Sequence, residues 1–382
     1  MAEESERPQL DPSLQPTDCS ASWTDPAAGP GAESFGAAYE GVSLTSESSI
    51  AGGETAHLGG DGWSIADDAE EIRSEAEDSA LGDDVPESTA SLRSSLYQGV
   101  QENGRFYHKY KEGKYVLPSD EKEWDRLDLQ HHLFLMTTDM KLALAPIVGD
   151  PAHVIDLGTG TGIWAIDFAE THPNSQVIGV DLSPQQPEFV PPNCRFEIDD
   201  VEEPWTWNQK FDYVHARMMA SSIADVPKFF RQCFEHTAPG GWLELQDTHF
   251  PLTSQDGTLH EGTALYQWAE KLVSGLRIFQ REIATPRYKA LMEEAGYVDV
   301  TEVQFVWPQN PWPKDKKLKE LGRWNLVNML DGLEGYSMAL LTRAHGMSPE
   351  EVQVFLSDVR KDMKNPKIHS YWPIYFVYGR KP

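Results

Sequence analysis

Residues 154–169 read VIDLGTGTGIWAIDFA. Val154 to Leu157 form a short apolar run, glycines follow at every second position, and Ile163, Ile166 and Ala169 mark a helix. A strand that turns through glycines into a helix is the repeating unit of a doubly wound, mostly parallel α/β sheet. The rhythm continues downstream. Gln176 to Asp181 is a second strand, and Cys194 to Ile198, Phe211 to His215 and Trp242 to Gln246 are strands three to five. A helix from about Val226 to Glu235 is ended by Pro239-Gly240-Gly241. Upstream, Pro118-Ser119-Asp120 marks a helix start, and Trp124, Leu127, His131 and Phe134 share one face of that helix. Residues 263–295 are mainly helical, Val298 to Trp307 alternates like a strand, and Tyr371 to Tyr378 closes the sheet. The expected fold is therefore Rossmann-like, with seven strands. Between the last two strands lies an insertion of about 60 residues, Pro308 to His369, too long for a hairpin turn and suited to covering a substrate. Its final helix begins Ser348-Pro349-Glu350-Glu351, where Ser caps the first turn and Glu351 reaches back to the cap amide.

Charge divides the chain into two parts. Residues 1–95 carry −18 of the −29 total, with few aliphatic residues and no sustained period. Such a segment buries too little apolar area to offset the entropy lost on folding, so it is expected to be a disordered acidic arm, with 96–382 as the folded domain. Ten of the twelve tryptophans lie beyond residue 95, which gives that part a sizeable core. An acidic surface without a basic stripe argues against direct nucleic-acid or anionic-membrane binding. The three cysteines, Cys19, Cys194 and Cys233, show neither metal-ligand nor disulfide spacing, so no metal is expected. Together with the lack of a secretory pattern or an 18-residue apolar run, this suggests an intracellular protein of the cytoplasm or nucleus.

The glycine run Gly158-x-Gly160-x-Gly162 lies at a strand end that opens a helix, where a doubly wound sheet binds its ligand. Glycines let the backbone approach that ligand, and the helix start favours a carboxylate. The spacing is GxGxG rather than the GxGxxG of dinucleotide binders, and Asp156 stands two residues ahead of it. This favours S-adenosylmethionine, whose methionine end offers an ammonium to an acid and a carboxylate to backbone amides. Asp181 ends the second strand, where its two oxygens can accept from both ribose hydroxyls. Asp199-Asp200 ends the third, where one carboxylate can accept from the adenine amino group. The competing reading is an NAD-type Rossmann oxidoreductase.

Further residues carry a resemblance to a known family. Tyr107-His108-x-Tyr110 through Leu117-Pro118, followed by Asp125-Arg126-Leu127-Asp128-x-x-His131-His132, is similar to the N-terminal signature of fungal LaeA-like methyltransferases. So are the glycine stretch, VIGVDLSP (177–184), PPNCRFEIDDVEEPW (191–205), FDYVHAR (211–217) and PGGWLELQD (239–247). The likeness continues through WPQNPWPKD (307–315), LGRWN (321–325) and YGRKP (378–382), and leaves the acidic arm outside. Ser119 departs from it, standing where Asn is expected. The resemblance implies a class I methyltransferase fold, S-adenosylmethionine as donor and a setting in fungal secondary metabolism. It puts the cofactor roles on Asp156, Gly158, Gly160, Gly162, Asp181, Asp199 and Asp200. It leaves the acceptor open between a small metabolite and a regulatory protein, and the chain open between a working enzyme and a cofactor-binding interaction protein.

A general base is needed only if the acceptor must lose a proton. His215, Arg217 and His249 follow strands four and five near the expected pocket mouth, and His131 and His132 are placed to line a lid. Trp205 and Trp207 are candidates for the adenine side. Trp307, Trp312, Trp324 and Tyr336 are candidates for an acceptor wall.

Overall fold

The computed structural model describes residues 99–108 and 117–382, so the acidic arm lies outside the described residues. A short hairpin, β1 (Gly99–Glu102) with β2 (Arg105–His108), precedes α1 (Glu121–Thr137), which is capped by Asp120. The sheet is built from β3 (His153–Leu157), β4 (Gln176–Asp181), β5 (Cys194–Ile198), β6 (Phe211–Arg217), β7 (Thr237–Thr248), β8 (Val298–Pro308) and β9 (Tyr371–Arg380). Their order is β5-β4-β3-β6-β7-β9-β8, and β9 alone runs antiparallel to its neighbours. The chain winds outward from β3 in one direction and then from β6 in the other. The carboxyl ends of β3 and β6 therefore flank a crevice, the topological switch point.

Alternation along β3 divides the core between the two faces of the sheet. Val154 packs with Trp164, Ala165 and Phe168 of α2 (Ile163–Thr171), whereas Ile155 and Leu157 pack with Phe229, Phe230 and Cys233 of α3 (Val226–His236) and Leu291 and Met292 of α5 (Tyr288–Ala295). A third cluster joins α1, α4 (Ala264–Ile278), α6 (Lys316–His345) and α7 (Pro349–Lys364) to Ile374 and Phe376 of β9.

One local expectation is corrected. Pro239-Gly240-Gly241 lies inside β7, because Thr237 already pairs with Phe211 and the register shifts before Trp242 meets Tyr213. The insertion is dominated by α6, a helix of 30 residues that packs against α1, α4 and α7. Gly322 permits its start to lie against the preceding loop, since a Cβ there would stand 2.4 Å from the Asn310 carbonyl oxygen. The Ser348–Glu351 capping box forms as its sequence requires.

Candidate active site

The turn after β3 is held from beneath by β4. Gly158 and Thr159 amides donate to the Val180 carbonyl at 2.8 and 2.9 Å, and the Gly160 amide donates to Asp181 Oδ2 at 2.9 Å. Gly158, Gly160 and Gly162 have φ of +71°, +59° and +84°, a region that L side chains rarely enter. A Cβ on Gly162 would also meet the Phe196 ring at 2.3 Å, whereas one on Gly160 would find only Leu127, at 3.5 Å. Gly160 is thus required by its backbone angle and leaves the space above it open.

Asp181 closes β4 beside that space. Its Oδ1 accepts from the Ser183 amide at 3.0 Å, and each carboxylate oxygen keeps a second lone pair for a ligand. Burial raises its pKa to about 6, against the lowering effect of the Gly160 and Ser183 amides. Protonation would remove one of the two acceptors. Affinity for a ligand that donates two hydroxyls is therefore expected to be constant above about pH 6 and to weaken by up to about tenfold per unit below it. Calorimetry across pH 5–8 measures this, and an Asp181→Asn variant with the same profile would show that another group titrates.

Asp156 is held differently. Only 2% exposed, it accepts from Thr159 Oγ1 at 2.6 Å and from His215 Nδ1 at 2.7 Å. His215 is fully buried and stacks on Trp164 with centroids 3.7 Å apart and planes 8° from parallel. The histidine supports the strand end from within the sheet and does not reach the acceptor space, which removes it as a candidate base.

Above the switch point an open cleft, with about 1030 Å³ of empty space counting its solvent-filled mouth, runs from the glycine turn to the helical layer. Its floor is Gly158, Gly160, Asp181 and Arg217. Its walls come from α1 (Trp124, Leu127), α4 (Leu272, Leu276), α6 (Tyr336, Leu340) and the Met218–Met219 loop. A smaller recess continues beneath Leu127, between Asp156, Thr161 and Arg217. Helix α1 is tied over this recess by two contacts, Thr161 Oγ1 to Asp128 Oδ1 at 2.7 Å and His131 Nε2 to Asp167 Oδ2 at 2.9 Å.

The seven residues named for the cofactor divide between these places. Asp156, Gly158, Gly160 and Asp181 line the cavity or the recess, and Gly162 turns the chain into α2 beneath them. Asp199 and Asp200 stand at the end of the adjacent strand but outside both linings, and their carboxylates accept from the Asp200 and Glu202 amides. His249 bonds to Thr285 Oγ1, and His132 meets Trp324 edge-on at 5.0 Å, so neither faces the cavity. Trp205 and Trp207 pack on each other and on the core below α3.

Of the four aromatics proposed for the acceptor wall, only Tyr336 reaches it. The Trp307 indole donates to Thr137 Oγ1 and ties β8 to α1, and the Trp312 indole donates to the Ser370 carbonyl and ties the insertion to the residue before β9. Three wall features escaped the sequence reading. Ser119, read only as part of a helix start and as a departure, is buried in the wall, donates to Gln185 Oε1 and lies 3.2 Å from Ser183 Oγ. Met218 holds a left-handed φ of +57°, which turns the loop after β6 across the crevice. The leucines of α4 and α6 carry no sequence mark that separates them from core leucines.

A seven-stranded sheet with only its last strand reversed, a glycine turn at the switch point and an acid closing the next strand define a class I methyltransferase. Residues 129–302 match the profile of a methyltransferase domain family. The methyltransferase pytC of Aspergillus terreus is 38% identical over 301 residues, 78% of this chain and 93% of that protein. The secondary metabolism regulator laeA of Aspergillus fumigatus is 35% identical over 300 residues, 77% of this chain and 80% of that protein. A solved phosphoethanolamine N-methyltransferase of Haemonchus contortus superposes with a TM-score of 0.43 at 13% identity, covering 78% of this chain and 75% of that one. The chain belongs to the LaeA-like family of fungal methyltransferases.

Proposed function

We propose that this chain binds S-adenosylmethionine across the glycine turn and Asp181 and methylates a small, largely apolar metabolite in fungal secondary metabolism. The observation that carries the acceptor class is the wall opposite the glycine turn, where Leu272, Leu276, Leu340 and Phe250 from the helical layer and its approach form an apolar surface. The bound cofactor supplies an activated methyl group. The chain's own residues supply position and dryness: Asp181 orients the ribose, Gly160 admits the ligand to the backbone, and α4 and α6 exclude water. Asp199 and Asp200 are assigned the adenine contact as part of this reading.

Among the described lining residues the ionisable groups are Glu123, Arg126, Asp181, Arg217 and Tyr336, and Glu123 is already bound to Arg126 Nε and Nη2 at 3.1 and 2.7 Å. Positioning rather than a dedicated base therefore supports the transfer. The laeA likeness supports a second reading, in which the same site serves a regulatory protein as acceptor or partner. Buried free thiols at Cys194 and Cys233 support placement in the cytoplasm or nucleus.

Incubating the protein with methyl-labelled S-adenosylmethionine and, in parallel, a metabolite extract and a protein extract of a filamentous fungus tests the acceptor class. Label in the small-molecule fraction is expected. Label confined to protein would favour the second reading and overturn the metabolite assignment.

A further inference from the structure

Arg217 ends β6 at the point where the large cavity meets the recess under α1, and it lines both. Its surroundings are unusual for a guanidinium. Nη2 donates to His131 Nδ1 at 3.0 Å, and the guanidinium carbon lies 4.8 Å from the Phe134 ring centre. Among the described residues that histidine is its one hydrogen-bond partner, and no carboxylate comes within ion-pair distance. The histidine is itself fixed. Its Nε2 donates to Asp167, so its Nδ1 is an acceptor, and burial holds its pKa below the ordinary value. A neutral ring thus aims the arginine while leaving its charge unneutralised. Burial depresses the guanidinium's own pKa to about 10, which still leaves it cationic.

Holding a partly desolvated charge without a counter-ion costs stability, so the arrangement calls for an anionic ligand group. The recess shows which one. Asp156 lines it too and is foremost among the carboxylates that act on Arg217 from a distance. Gly158 to Thr161 of the glycine turn line the same recess. One anionic and one cationic side chain beside a glycine turn complement a zwitterionic α-amino acid, with its ammonium toward Asp156 and its carboxylate toward Arg217. Building on the cofactor reading above, we propose that Arg217, aimed by His131 and Asp167, is the carboxylate-binding residue for the methionine end of S-adenosylmethionine. Four N–H donors are left on the guanidinium, and a parallel pair of them suits a planar carboxylate.

The test compares S-adenosylmethionine with its decarboxylated analogue, which keeps the adenosine, sulfonium and amine, using calorimetry on the full chain. Wild type is expected to bind the carboxylated compound at least about tenfold more tightly, the loss of one charge-assisted contact. Arg217→Met is expected to remove that preference, bringing S-adenosylmethionine down to the affinity of the analogue, and Arg217→Lys to restore part of it. Equal binding of the two compounds by wild type would overturn the assignment of Arg217 while leaving the cofactor reading intact. Binding of neither would overturn both. A fully retained preference in Arg217→Met, with methyl transfer lost, would move the arginine to the acceptor. The wild-type comparison decides the matter even if the variants fold poorly.

Discussion

Asp181→Ala is expected to lower affinity for S-adenosylmethionine by roughly 30- to 1000-fold, about 2–4 kcal/mol, for two charge-assisted hydrogen bonds with incomplete additivity. The same substitution also leaves the Gly160 and Ser183 amides without their acceptor, so part of the loss comes from a loosened glycine turn. Asp181→Asn separates the two contributions. It keeps one carbonyl acceptor, and its affinity is expected to fall between wild type and Asp181→Ala. Calorimetry with S-adenosylhomocysteine gives the three constants without turnover. Unchanged affinity in Asp181→Ala would take the residue out of the site and with it the placement of the ribose.

The elements that carry this prediction were legible because local chemistry dictates them. Three glycines at alternate positions cannot be accommodated in a regular strand or helix at no cost, and all three have left-handed φ. Asp181 was legible because a carboxylate ending an apolar strand has nowhere to point but the sheet edge. The helical cover was only half legible. An insertion between the last two strands could be read from its length, but which of its side chains face the cavity depends on how α6 rotates against α1 and α4, and that is set by packing across the whole layer. Tryptophans attracted attention as candidate ligand walls, yet Trp307 and Trp312 each have an indole N–H that finds a partner in the surrounding protein. The true wall is leucine and methionine, residues whose sequence pattern is the same in a pocket as in a core.

Histidine shows the same limit at Asp156. A His four residues after the start of an interior strand reads equally well as a base at the strand's end or as a strut within it, and the register of β6 against β3 decides between the two by placing His215 beside Asp156. His215→Leu is consequently expected to destabilise the domain by about 3 kcal/mol, because it strips a buried carboxylate of one partner and leaves Thr159 as the other. For a domain of this size that is a fall of roughly 5 °C in melting temperature. Loss of cofactor affinity should follow from the loosened turn rather than precede it. Substituting both sides, as in Asp156→Asn with His215→Leu, is expected to cost less than the sum of the single changes, since no unmatched charge is then left inside. A role as base makes the opposite forecast: His215→Leu would keep the wild-type melting temperature and cofactor affinity and lose only methyl transfer. That combination of results would return the histidine to the acceptor site and require a path from its buried ring to the cavity.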